Sequence, residues 1–212
     1  MAAAPTLGVE EEFLLLDPVS GQVVPAAPEL LGRLDGASWA KGELMRFQVE
    51  AVTDICTSLG QLRAELATHR WAAAALAEPL GCLLVAAGTA PEGTSGLAHL
   101  TPSVRYLELA RRSPSLLNGS GTCGCHVHVG VASRELGVQV LNRLRPWLPT
   151  LLALSSNSPL TGGGESGWAS WRHRPAGSRQ PFSPPPVTGW TGLVWTPGRG
   201  RGPPSAACWN GS

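Results

Sequence analysis

A chain of 212 residues with 43% hydrophobic side chains can hold one large domain or two small ones around a real core. Its net charge of +1 hides a division: residues 1–171 carry eleven Lys+Arg and all fifteen Asp+Glu, whereas residues 172–212 carry five Arg and no acid. Neither part has the basic stripe of a nucleic-acid binder, no run of about 18 uninterrupted apolar residues offers a membrane span, and Met1–Pro5 is too short and uncharged for a signal peptide. Five cysteines (Cys56, Cys82, Cys123, Cys125 and Cys208), four of them in apolar or strand-like surroundings, then fit reduced thiols in a soluble cytoplasmic protein.

In chain order, Thr6 to Asp17 reads as a strand closed by the turn residues Asp17-Pro18 and Ser20-Gly21. Met45 to Cys56, rich in apolar and β-branched residues, reads as a second strand. Ser58 is an N-cap for a helix with Leu59, Leu62, Leu66, Ala73 and Leu76 on its apolar stripe and His69 filling the missing step. Pro79 and Gly81 end that helix. Cys82 to Ala87 reads as a short buried strand, Gly88 to Leu100 as a loop, and Val104 to Arg112 as a short helix. Thr122 to Val131 reads as a third clear strand. Ser133 then caps a long helical stretch that Pro146 and Pro149 must kink or restart, since each removes a helix hydrogen bond.

Strands and helices in this order, without a strict βαβ rhythm, predict an α+β fold with an antiparallel sheet over residues 1–171. Residues 172–212 differ in kind, with eight Pro, seven Gly and three Trp and no apolar period. Such a segment buries too little surface to offset its ordering entropy, so a disordered tail is the expectation. The abrupt change after Trp171 also resembles a frame change in GC-rich coding sequence.

Three clusters carry chemistry. Gly8-Val9-Glu10-Glu11-Glu12-Phe13 sets three carboxylates in an apolar strand, where alternation puts Glu10 and Glu12 on one face and Glu11 on the other. Neighbouring carboxylates repel unless a cation sits between them. A solvated acidic edge is the plainer reading, but Val9 and the run Phe13 to Leu16 argue against an exposed edge.

Glu43 and Glu50, seven positions apart, have the wrong parity for one face of a continuous strand and converge only if Glu43 precedes the strand or a bulge intervenes. Taken alone they read as surface acids. In Cys123-Gly124-Cys125-His126-Val127-His128, strand alternation gives His126 and His128 one face and both cysteines the other. A four-ligand zinc site of those residues is therefore excluded. Two histidines on one face suit either a polar cleft or a pair of satisfied core histidines.

Several segments, in order, resemble the glutamate–cysteine ligase type 2 family of carboxylate–amine ligases. Thr6-Leu7-Gly8-Val9-Glu10-Glu11-Glu12-Phe13-Leu14 is similar to its opening strand, Glu43-Leu44 through Gln48-Val49-Glu50 to its second acidic strand, and Gly124 to Val131 to its histidine strand. Leu141 to Pro149 and Leu154-Ser155-Ser156-Asn157-Ser158-Pro159 resemble the helices that follow, and Gly167-Trp168-Ala169-Ser170-Trp171-Arg172 resembles its G-Y-A-S-W-R segment.

The resemblance implies a curved antiparallel sheet with helices on one face, of the glutamine-synthetase-like type, and an ATP-dependent ligase joining an amino-acid carboxylate to an amine through an acyl phosphate. It implies magnesium, or manganese in its place, held by Glu10, Glu12, Glu43, Glu50 and His126, with His128 on the same polar face. Its partners are small amino-acid substrates such as glutamate and cysteine, and it allows a homo-oligomer. Lys41 is the only lysine and no phosphate-binding G-x-x-x-x-G-K-[ST] loop occurs, so nucleotide phosphates must be held by metal and arginine.

Family members continue well past the A-S-W-R segment, and nothing in 172–212 resembles that continuation. The expectation is an N-terminal portion with an incomplete sheet, and an inactive remnant is the alternative reading. A His126/His128/Glu iron centre of another enzyme class is the least favoured.

Overall fold

The computed structural model describes residues 5–34, 36–92, 97–113 and 121–173. The tail beyond His173, including Cys208, and part of the loop between Gly88 and Leu100 lie outside the described residues.

The fold grows from β1 (Leu7–Leu16), whose odd positions Val9, Glu11, Phe13 and Leu15 are all buried. On one side β1 pairs antiparallel with β3 (Gln48–Val52), which in turn pairs with β2 (Ala40–Gly42). On the other side two strands share its length: β4 (Leu83–Val85) takes the C-terminal end and β5 (Cys125–Val129) the N-terminal end, both antiparallel. The result is an antiparallel five-stranded sheet in an α+β chain, as the element order predicts.

Both faces of the sheet are partly covered. Against the odd face pack α1 (Ala27–Arg33) and α2 (Leu59–Ala77), so that Phe13, Leu15, Val49 and Leu84 meet Leu30 and the small residues Ala73, Ala74 and Ala77. Small side chains let the helix approach closely, and each fully buried large apolar residue contributes roughly 1.5–3 kcal/mol. Among the described residues the even face is covered at its far end, where Leu14, Leu16, Phe47 and Val85 pack beneath Ala110 and Tyr106 of α3 (Val104–Arg112). Its other end, carrying Glu10 and Glu12, is only part-buried among them.

Local signals fix the ends. The Ser58 hydroxyl accepts from the Gln61 N–H and that of Ser133 from Leu136, so both predicted serine caps are present, and Ser103 caps α3 in the same way through the Tyr106 N–H. His69 takes the helical step without an apolar residue by stacking on Trp39, ring centroids 4.4 Å apart. After α4 (Arg134–Leu144), Pro146 falls in a short 3-10 turn and the helix restarts as α5 (Leu148–Leu154), followed by the small hairpin β6 (Leu160–Thr161) and β7 (Gly164–Glu165).

Three expectations need correction. The strand predicted over Met45 to Cys56 shrinks to β3, because Met45 to Gln48 forms a turn and Met45 bridges Leu100 instead. Leu59, placed on the apolar stripe of α2, is 73% exposed as the first residue of that helix. The short α1, opened by Ala27-Pro28, was missed; its length gives too little periodicity to register. Among the described residues no helix is long and apolar enough to cross a membrane.

Candidate metal centre

Strand register alone brings most of the acidic residues together. Glu12 lies directly opposite Glu50 across the β1–β3 ladder, and Glu10 lies opposite His126 across the β1–β5 ladder. Glu43 joins from outside the strands. The chain leaves β2 at Gly42, and Thr101 fixes the turn by donating its hydroxyl to the Glu43 carbonyl at 2.6 Å and its N–H to the Leu44 carbonyl at 2.9 Å. That resolves the parity mismatch, since Glu43 precedes β3 and is free of its alternation.

The five sequence-predicted residues form two adjoining sets rather than one. Glu12, Glu43 and Glu50 place carboxylate oxygens within 4.8 Å of one another, and Glu10, His126 and His128 do the same with an oxygen and two ring nitrogens. In the second set the Glu10 carboxylate stands 2.9 Å from His126 Nδ1 and 3.3 Å from His128 Nε2. His128, assigned only to the same face, thus contacts Glu10 directly. Beside this set an open groove of about 230 Å³ runs past Gly8, Thr53, Asp54 and Ile55.

Electrostatics separate the two sets. Hydrogen bonding to His126, with help from His128, holds the Glu10 carboxyl below its usual range despite some burial. Burial pushes the Glu12 carboxyl up, and the Glu43 charge adds to this against the Gly124 N–H that Glu12 accepts at 2.8 Å. Burial also raises Glu50, with Glu43 and Glu10 contributing, and Lys41 at 3.9 Å is its one ion-pair partner among the described residues. Tyr106 offers its hydroxyl to Glu43 at 3.4 Å. Three carboxylates whose oxygens converge within 4.8 Å form a set that a divalent cation would stabilise.

The remaining acid of the triplet does other work. Glu11 points to the helix side, where Arg70 of α2 grips both carboxylate oxygens at 2.7 and 2.6 Å. Sequence reading missed Arg70, though an arginine at helical spacing from the apolar stripe, facing a strand with one inward acid, was the available signal.

Cys123 corrects an expectation. It was placed with Cys125 on the face away from the histidines, but β5 begins only at Cys125, and Cys123 packs with Leu14, Phe47 and the Gln48 amide on the carboxylate side. Its thiol, fully enclosed, is pushed far up and stays protonated; Cys125, against Val9 and Leu62, is pushed up to about 12 by burial. Gly124 between them is tightly placed. A Cβ there would stand 3.2 Å from His126 Nε2 and 3.8 Å from Glu12 Oε1, so His126 reaches toward both sets.

The chain is similar to known proteins over most of its length. The sequence model described as Glutamate-cysteine ligase family 2 (GCS2) matches residues 6–176. A Salinispora arenicola protein named "Putative glutamate--cysteine ligase 2" is 45% identical over 174 residues, covering 80% of this chain and 45% of its own. A Saccharopolyspora erythraea protein, "Putative glutamate--cysteine ligase 2-1", is 43% identical over 183 residues, covering 86% of this chain and 48% of its own. The chain therefore spans about half the length of the curated relatives it matches. Among solved structures, a bifunctional glutathione synthetase from Pasteurella multocida superposes with a TM-score of 0.53 at 14% identity, over 74% of this chain and 24% of that one, which is a likeness of fold. On the strength of the family match and of these relatives, the chain belongs to glutamate–cysteine ligase family 2.

Proposed function

We propose that this chain carries the divalent-metal half of an ATP-dependent carboxylate–amine ligase, with glutamate and cysteine as the reference substrates. The observation that carries the reading is the convergence of Glu12, Glu43 and Glu50 from three separate segments, beside Glu10, His126 and His128. Hard carboxylate oxygens suit magnesium or manganese, which bind through a few such ligands together with substrate phosphates. Glu12, Glu43 and Glu50 would hold one cation, and Glu10 with His126 a second.

The reaction inferred passes the γ-phosphoryl group of ATP to a substrate carboxylate, after which an amine displaces phosphate and leaves an amide. When bound, the metal supplies charge neutralisation for the phosphoryl oxygens. The protein's own residues orient it: Gly124 holds the Glu12 carboxylate, His126 and His128 hold Glu10, and Thr101 and Tyr106 fix Glu43.

A second reading has an observation of its own. Glu10, His126 and His128 form a two-histidine, one-carboxylate set of the kind that binds iron(II). The adjoining acids, without a role in that chemistry, favour the ligase.

The test has two steps. Titration with Mn²⁺ by calorimetry should show binding that Glu12→Gln and Glu50→Gln each weaken, and stoichiometric iron(II) with no Mn²⁺ affinity would favour the second reading. ADP release with glutamate, with and without amine, then tests the reaction. Little turnover is expected from residues 1–212 alone, because the chain spans about half of its relatives' length and catalysis requires placement to fractions of an ångström. Robust amine-dependent turnover would refute that part.

A further inference from the structure

Two segments matched to the family carry no role in the site as described, Leu154 to Pro159 and Gly167 to Arg172, and the fold brings them together. Ser158, buried and central, donates its N–H to the Ala169 carbonyl and accepts at its own carbonyl from the Trp171 N–H at 2.8 Å. Its hydroxyl accepts from the Arg172 N–H at 3.1 Å. Asn157 ties the pair to the end of β4, its amide donating to the Ala86 carbonyl and its own carbonyl accepting from Gly88. The Arg172 side chain is thereby aimed at one place. One guanidinium nitrogen donates to the Cys123 carbonyl and, at 3.4 Å, to the Gly88 carbonyl, which also accepts the Cys123 N–H at 3.3 Å.

The Cys123 carbonyl and the Gly124 N–H belong to one peptide unit. That N–H is the donor to Glu12 Oε2 at 2.8 Å, and the Gly124 carbonyl accepts from the Glu12 N–H at 2.9 Å. A cation on the oxygen of a peptide polarises it and strengthens its N–H as a donor. Fixing the plane of the peptide also fixes where the carboxylate oxygen sits.

We propose that Arg172 is a positioning residue of the carboxylate site, acting through the Cys123–Gly124 peptide to hold the Glu12 carboxylate in its metal-binding orientation. Its relation to metal rests on the function proposed above; its relation to Glu12 stands without it. The guanidinium also lies close enough for its charge to favour ionised Glu12. The two family segments, on this view, form a clamp that delivers one cationic donor to the back of the metal site.

Amide exchange of the metal-free full chain, read residue by residue by NMR, tests the first part. In Arg172→Ala the Gly124 amide should exchange about tenfold faster while the buried amides of α2 change by less than about twofold, because only a local tether is lost. Equal acceleration at both places, or none at Gly124, overturns the proposal. If that variant does not fold, Arg172→Lys and Arg172→Gln decide the matter, since both fill the space and only lysine returns a cationic donor. Lysine should keep Gly124 protected and glutamine release it, and identical behaviour refutes the idea. Mn²⁺ titration tests the second part: loss of such an outer support should weaken binding about 10–100-fold in Arg172→Ala or Arg172→Gln. An affinity within about twofold of the unmodified chain removes Arg172 from the metal site. If the unmodified chain binds no Mn²⁺, the metal reading fails, and the Gly124 exchange, made without metal, still decides whether Arg172 positions Glu12.

Discussion

Replacing Arg70 with alanine should destabilise the fold by about 3 kcal/mol, because it strands a carboxylate in the core rather than merely removing a surface contact. Glu11 is 5% exposed and its two oxygens accept from Arg70 Nε and Nη2 at 2.7 and 2.6 Å. Breaking one partner of a buried pair costs about 3–5 kcal/mol, and the partial exposure of the arginine side chain places this pair at the lower end. Against a total of roughly 5–15 kcal/mol for a domain, that is a large share. For a chain of this size it corresponds to a fall in Tm of about 6–12 °C. Urea denaturation followed by circular dichroism measures it directly. The decisive comparison is Glu11→Leu combined with Arg70→Ala, which removes the stranded charge and should recover about 2 kcal/mol of the loss. A loss below about 1 kcal/mol in Arg70→Ala, or no recovery in the double variant, would refute the reasoning, because the pair would then be no more than a surface ion pair.

Gly124→Ala should fold normally but weaken Mn²⁺ binding about tenfold, since its Cβ would press on His126 Nε2 from 3.2 Å; calorimetry checks this, and an unchanged affinity counts against His126 as a ligand. Stabilisation by Mg²⁺ should be larger near about pH 7.5 than near about pH 5. Glu12 and Glu50 have folded-state values raised above the ordinary 4.5, so their contribution to the metal-free fold is present below that value and lost as pH rises through the raised ones, where the cation restores it. Glu10 is lowered and loses its contribution only further down, so it does not mask the effect; a Mg²⁺-induced shift in Tm that is flat with pH would contradict the assignment. Exchanging Cys123 and Cys125 for alanine together should leave Mn²⁺ affinity within about twofold, since both thiols stay protonated, although burial makes the change destabilising. Stoichiometric zinc retained by the unmodified chain and lost in that variant would reverse the conclusion.

The legible part of this molecule was what depends on a short period. Alternation alone places Glu10 and Glu12 on one face and Glu11 on the other, and it pairs His126 with His128. The serine caps of α2 and α4 are local hydrogen bonds between neighbours in sequence, and sequence shows them for that reason. What depends on distant partners was not legible. Glu43 reaches its set only because Thr101, 58 residues on, holds its turn, and Glu11 finds its cation 59 residues away. Cys123 was misplaced because alternation was extended two residues beyond the point where the chain takes up strand geometry. Arg172 stood in a recognised segment, yet nothing local says that its guanidinium meets the peptide before Gly124.

The register of β1 ties the energetics of the fold to the chemistry of the site. Shifting β1 by one residue would turn Glu10 and Glu12 into the helix-covered face and leave Glu11 alone beside Glu50 and His126. The same shift would carry Val9 toward the carboxylate end of that face, take Phe13 and Leu15 out of their packing against α1 and α2, and break the Glu11–Arg70 pair. Three buried apolar side chains alone are worth several kcal/mol, on the order of half the stability of a typical domain. The carboxylates of the site, by contrast, are costly when brought together: Glu12 and Glu50 are both pushed toward their neutral forms. They do not choose their own arrangement. The odd face of β1 chooses it for them, and the ordered hydrophobic side of one strand holds the repelling acids on its other side in the positions a cation needs.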